Sequence, residues 1–169
     1  MVDKTQFEMM ARYNQWMNGK LYVICAEIPD SDRKKDMGAF FKSIHATLNH
    51  LLYGDKAWMG RFTGNPFLTD NMGVDLYSDF EELRKEREKM DQQIIEWSKT
   101  LTPEWLDSEM TYTSKVDNKA RTMPRWAAVT QLFNHQTHHR GQITTLIKQL
   151  GKDPGPTDVP WLPEFNNND

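Results

Sequence analysis

Residues 124–151 read PRWAAVTQLFNHQTHHRGQITTLIKQLG, and the spacing within this stretch decides the fold class. Val129, Leu132, Gln136, His139, Ile143, Leu146 and Leu150 recur at alternating steps of three and four. At about 100° per residue they form one stripe of an amphipathic helix. Pro124 suits a first helical turn, where its missing N–H costs nothing. Gly151 suits the left-handed cap, and Pro154 prevents the helix from resuming.

Three earlier segments carry the same period. Thr5 and Glu8 are spaced as a capping box, and Met10, Tyr13, Met17, Leu21, Ile24 and Ile28 follow as a stripe ended by Pro29. From about Gly38 to Phe62 the stripe is Phe41, Ile44, Leu48, Leu51, Asp55, Trp58 and Phe62, stopped by Thr63-Gly64-Asn65-Pro66. Ser78 and Glu81 make a second capping box ahead of Phe80, Leu83, Arg87, Met90, Ile94, Trp97 and Leu101. The mixed-sign run Glu81 to Lys89 reads as a solvated face laced with i,i+4 pairs. Between the third and fourth helices, Met110–Thr113 and Ala120–Met123 flank Asp117-Asn118 as a small hairpin. Four long amphipathic helices without a strong strand set predict an all-α four-helix bundle. The connections Thr63–Tyr77 and Thr102–Met123 are both long enough to cross over. Residues 1–169 read as one bundle domain, with 152–169 a tail that packs back through Val159, Trp161, Leu162 and Phe165.

Composition narrows the function classes. Lys and Arg total 21 against 24 Asp and Glu, for a net charge of −3, and no basic stripe is clustered, which argues against nucleic acid. No apolar run reaches the ~20 residues of a membrane-spanning helix, and the first residues lack a signal-peptide core, so a cytoplasmic protein is expected. Cys25 is the single cysteine and excludes an internal disulfide; beside Ile24 it reads as a packed small hydrophobe.

The five histidines occupy two short segments: His45 and His50, then His135, His138 and His139. His135 and His139 lie about 40° apart on one helical face and can converge on one ion, whereas His138 points about 100° from His139. A third ligand is wanted, since three protein ligands with an open position is the usual catalytic arrangement. His45 and His50 flank the second stripe at about 90° and 130° from its centre. Helical phase leaves that choice open. His50 shares its side with Ser43, Ala46, Gly54 and Ala57, which would admit a neighbouring helix. His45 shares its side with Lys42, Asn49 and Lys56, a face that reads as solvent. Asp55, a carboxylate on an apolar stripe, needs a partner. It reads as a supporting residue that accepts a ring N–H from a ligand histidine or pairs with Arg140.

The run Thr47-Leu48-Asn49-His50-Leu51-Leu52, with Asp55 and Trp58, and the later Asn134-His135-Gln136-Thr137-His138-His139-Arg140-Gly141-Gln142 together resemble the DinB/YfiT-like family of metal-dependent enzymes. Tyr13-Asn14, Trp16-Met17-Asn18 and Asp158-Val159-Pro160 extend the resemblance over nearly the whole chain. It implies a bundle with one divalent metal, Zn2+ or Ni2+, held by His50, His135 and His139, with His45 and His138 as non-ligands. It also implies a homodimer and a small-molecule substrate. Members with known activity include S-transferases that use a low-molecular-weight thiol, and an isomerase. The expected function is therefore a metal-dependent transferase, with Asp55 and Arg140 as supporting candidates. A metal-dependent hydrolase or isomerase, or a metal-stabilised bundle without activity, are the alternatives.

Overall fold

The computed structural model describes residues 3–67, 69, 73, 75–115 and 117–166. Along the chain run α1 (Lys4–Ala26), α2 (Asp30–Arg33), α3 (Ile44–Thr63), α4 (Phe80–Lys99), α5 (Pro103–Asp107), β1 (Glu109–Thr113), β2 (Ala120–Pro124) and α6 (Arg125–Gln149). The long helices α1, α3, α4 and α6 form a bundle. α1 and α3 each pack against both α4 and α6, so α1 faces α3 across the core and α4 faces α6. The connection from Thr63 to Tyr77 therefore joins neighbours rather than crossing over. The two diagonal connections are residues 27–43 and the stretch from Thr100 to Pro124 that carries α5 and the hairpin.

α3, α4 and α6 bury most of the stripe that their periodicity marks out, whereas α1 turns Phe7, Ala11, Leu21, Tyr22 and Cys25 to the core, leaves Met10 and Ile24 partly buried and packs Tyr13 and Met17 against the tail. Leu21 and Cys25 of α1, Leu48 and Leu51 of α3, Leu83 and Ile94 of α4, and Leu132 and Ile143 of α6 meet in one core. Each such leucine or isoleucine contributes about 1.5–3 kcal/mol of hydrophobic stabilisation. One end of the core is aromatic. The Phe62 and Trp97 rings stack with centroids 5.0 Å apart, Trp105 of α5 meets both edge-on, and Tyr112 of β1 meets Trp58 edge-on at 5.1 Å. β1 and β2 pair antiparallel with Thr111 opposite Thr122, as the hairpin reading expects, and Asn118 takes the left-handed turn conformation at φ 55°.

Helix starts differ from expectation by small, explicable shifts. Asp3, rather than Thr5, caps α1, accepting from the Thr5 N–H, and Asp79, rather than Ser78, caps α4 from the Glu82 N–H at 2.9 Å. In both cases an aspartate was available nearby, and its charge also complements the helix N-terminus. α3 begins later than Gly38. Gly38 and Lys42 adopt positive φ, which breaks the helix before Ser43 caps it through the Ala46 N–H. The tail returns to the bundle through Leu162, which packs on Tyr13 and Met17, and through the partly buried Val159. Trp161 and Phe165 are exposed, contrary to expectation. Within Glu81–Lys89 the charged residues are exposed or half-buried except Arg87, which is buried with Leu83.

Candidate metal centre

α3 and α6 are neighbours, and their facing histidines meet. Gly54 lies one turn after His50 and lets α6 approach. A Cβ there would fall 2.6 Å from His135 Cε1 and 2.9 Å from its Nδ1. Without that side chain, His50, His135 and His139 offer ligand atoms that all lie within 4.8 Å of one another. His50 Nε2 and His135 Nε2 are 3.1 Å apart. Two ligand nitrogens on one tetrahedral divalent ion, each about 2.0–2.1 Å from it, are separated by about 3.3 Å. The donor set and its spacing fit a divalent metal.

The imidazoles are prepared to donate lone pairs. Burial pushes the His135 pKa down to about 3, and the neighbouring histidines press it the same way. Burial likewise lowers His139 to about 4. Both rings are therefore neutral at pH 7. His139 Nδ1 lies 2.8 Å from Gln142 Oε1. Placing the proton on Nδ1 makes that contact a hydrogen bond and leaves Nε2 as the donor atom, the orienting role that such partners play for metal-binding histidines. Phe41 covers the site. Its ring stacks on His50 with centroids 3.9 Å apart and tilts against His139 at 5.4 Å.

The other two histidines lie outside this cluster. His138 is exposed and its Nε2 faces the Gln142 amide. His45 is buried, and its Nε2–H donates to the Tyr77 carbonyl oxygen at 2.8 Å. The face carrying His45 and Asn49 is thus not solvent: the loop at Tyr77 covers it, with the Asn49 side chain bonding both Tyr77 N–H and Tyr77 C=O.

Asp55 has neither of its expected partners. Its Oδ2 pairs with Arg87 Nη1 of α4 at 2.7 Å, and Arg87 Nη2 pairs with Asp91 Oδ1 at 2.9 Å, all three side chains being buried. Arg140 bonds instead to Asn14 and to Gln136 Oε1, and Asn18 donates to Asp91 at 2.9 Å. These residues form a polar spine inside the bundle. Its signal was in the sequence, where an arginine on the third stripe matches the aspartate on the second. Spacing put Phe41 on the apolar stripe and gave Gln142 no role, so neither was assigned to the histidines that they cover and orient.

A family model described as the DinB family matches residues 1–169. The chain belongs to the DinB family. Among curated relatives of this DinB-family chain, Protein DinB of Bacillus subtilis (strain 168) is 26% identical over 151 residues, which span 86% of this chain and 87% of that one. The residues that carry the DinB resemblance have distinct places in the fold. His50, His135 and His139 form the cluster, while Asn14, Asn18, Asp55 and Arg140 belong to the spine beside it. No helix of the described residues is long and apolar enough to cross a membrane.

Proposed function

We propose that this protein is a metal-dependent enzyme whose divalent ion, Zn2+ or Ni2+, is held by His50, His135 and His139. The observation that carries this reading is the 3.1 Å approach of the His50 and His135 ring nitrogens with a third imidazole in reach. Imidazole nitrogens that face one another this closely are best satisfied by a shared cation or proton. A divalent ion there supplies Lewis acidity that brings a ligated thiol or water toward ionisation near neutral pH. The protein's own part is to keep the His135 and His139 rings neutral, to orient His139 through Gln142 and to shield one side with Phe41. Thiol S-transfer is the favoured reaction class because the family resemblance points to it, and a three-histidine site leaves a position open for a thiol. Hydrolysis or isomerisation would use the same site.

A second reading is supported by the origin of the ligands on two helices. An ion shared by α3 and α6 would also tie the bundle together without any chemistry. Metal analysis of untagged protein tests the assignment. One divalent ion per chain is expected, lost in His50→Ala, His135→Ala and His139→Ala and kept in His45→Ala and His138→Ala. Loss in the last two but not in the first three would sink it. Transfer of a low-molecular-weight thiol to an electrophile by the loaded protein, absent in the three variants, separates the enzyme from the metal-tied bundle.

A further inference from the structure

A cleft of about 230 Å³ opens beside His50 and His135 and runs along α3. Gly54 and Ala57 give it a floor of small residues, and Tyr53, Trp58 and Tyr112 wall it. Arg61 lies at its far end. Eleven residues separate Arg61 from His50, which places them about 20° apart in phase and about 16 Å apart along the helix axis. Both therefore lie on the same face.

Arg61 is held in an unusual way. Its guanidinium lies 4.6 Å from the Trp58 ring centroid and 4.7 Å from that of Tyr112. Stacking uses the faces of the guanidinium and leaves its in-plane N–H donors available. Among the described residues no carboxylate pairs with Arg61, although burial is strong enough to lower its pKa. Lys115 adds a second cation at the rim, donating to the Thr69 carbonyl oxygen at 2.8 Å. No Asp or Glu lines the cleft among the described residues. A half-buried, stacked and unpaired arginine beside a second cation and aromatic walls is built for a planar anion with an apolar body.

We infer that the cleft binds a small-molecule carboxylate, with Arg61 as its anchor, Lys115 as a second positive charge, and the ligand's other end directed toward the histidine cluster. The inference names the substrate class of the proposed metal site and so rests on that reading for its catalytic meaning. Carboxylate binding itself needs only Arg61 and Lys115.

The test is calorimetric titration of the full-length protein with 3-phenylpropionate and with its neutral amide, before and after chelation. The acid is expected to bind at least about tenfold more tightly than the amide, as a bidentate charge-assisted pair allows. The preference should vanish in Arg61→Gln, weaken in Arg61→Lys and in Lys115→Gln, and persist in chelated protein. Persistence there with no metal found in the native protein would reject the metal reading and keep the anchor. Equal binding of acid and amide, binding of neither, or an undiminished preference in Arg61→Gln would overturn the anchor. Were Arg61→Gln to unfold, the acid–amide comparison on native protein and Lys115→Gln would decide the matter.

Discussion

Gly54 sets how closely two imidazoles on different helices can approach. An added methyl would lie 2.6 Å from the His135 ring, so the ring must turn away. Alanine is otherwise favoured over glycine inside a helix by about 1 kcal/mol. Gly54→Ala should therefore keep the far-UV circular dichroism of the native protein and lose metal affinity by about tenfold or more, the scale seen when groups behind metal ligands are disturbed. Full metal content at limiting metal would show that the approach of α6 does not govern the site. Asp55 makes the opposite kind of prediction. Removing it leaves Arg87 buried with Asp91 as its remaining carboxylate partner. Breaking a buried pair by removing one member costs about 3–5 kcal/mol. Asp55→Ala should lose about 3 kcal/mol in urea denaturation, far more than an exposed ion pair such as Arg84–Glu88 would. A loss under about 1 kcal/mol would mean that the spine contributes no stability.

At the scale of elements, the loop between α3 and α4 is fastened at Tyr77. Lys56 of α3 bonds Glu86 of α4 at 3.0 Å, and the Tyr77 hydroxyl donates to the same Glu86 oxygen at 3.2 Å. Hydrogen bonds from Lys89 and Lys56 depress the Glu86 pKa to about 2. An acid with a depressed folded-state pKa adds stability that is fully present above its ordinary value of 4.5 and is lost as pH falls toward 2. Glu86→Gln should flatten the acid limb of the stability curve between those two values while changing neutral stability by about 1 kcal/mol or less. An unchanged acid limb would show that this carboxylate is not coupled to folding. The same loop marks where sequence reading stopped. A helical wheel reports which residues share a face but not what later folds over it. Lys42 and Lys56 made the His45 face look wet, and the cover at Tyr77 depends on a connection without periodicity. The starts of α1 and α4 were legible to within two residues because aspartate, serine and threonine compete for the same capping role, whereas the left-handed turns at Gly38 and Lys42 delay α3 to Ile44. The stripes of α3, α4 and α6 were legible, since the 3.6-residue period is a local property, while that of α1 was offset because the tail covers Tyr13 and Met17 and makes a second apolar face.

Across the whole molecule, the legible and illegible parts divide by whether an interaction is local or between helices. His135 and His139 could be paired from spacing alone, because both are on one helix. His50 needed either the family resemblance or the packing of α3 on α6. The Asp55–Arg87 pair needed the register between α3 and α4, which no single-helix argument contains. This same inter-helix character makes the proposed ion a reporter of global stability. A ligand that binds the folded chain alone raises its stability by about 2.7 kcal/mol when present at a hundred times its Kd. For a chain of 169 residues, each kcal/mol shifts Tm by about 2–4 °C. Adding Zn2+ or Ni2+ to chelated protein should raise Tm by about 5–10 °C, and the rise should disappear in His50→Ala, which removes the α3 ligand and leaves both α6 imidazoles. A rise that survives in His50→Ala would place the ion on α6 alone, where it could not join the two helices.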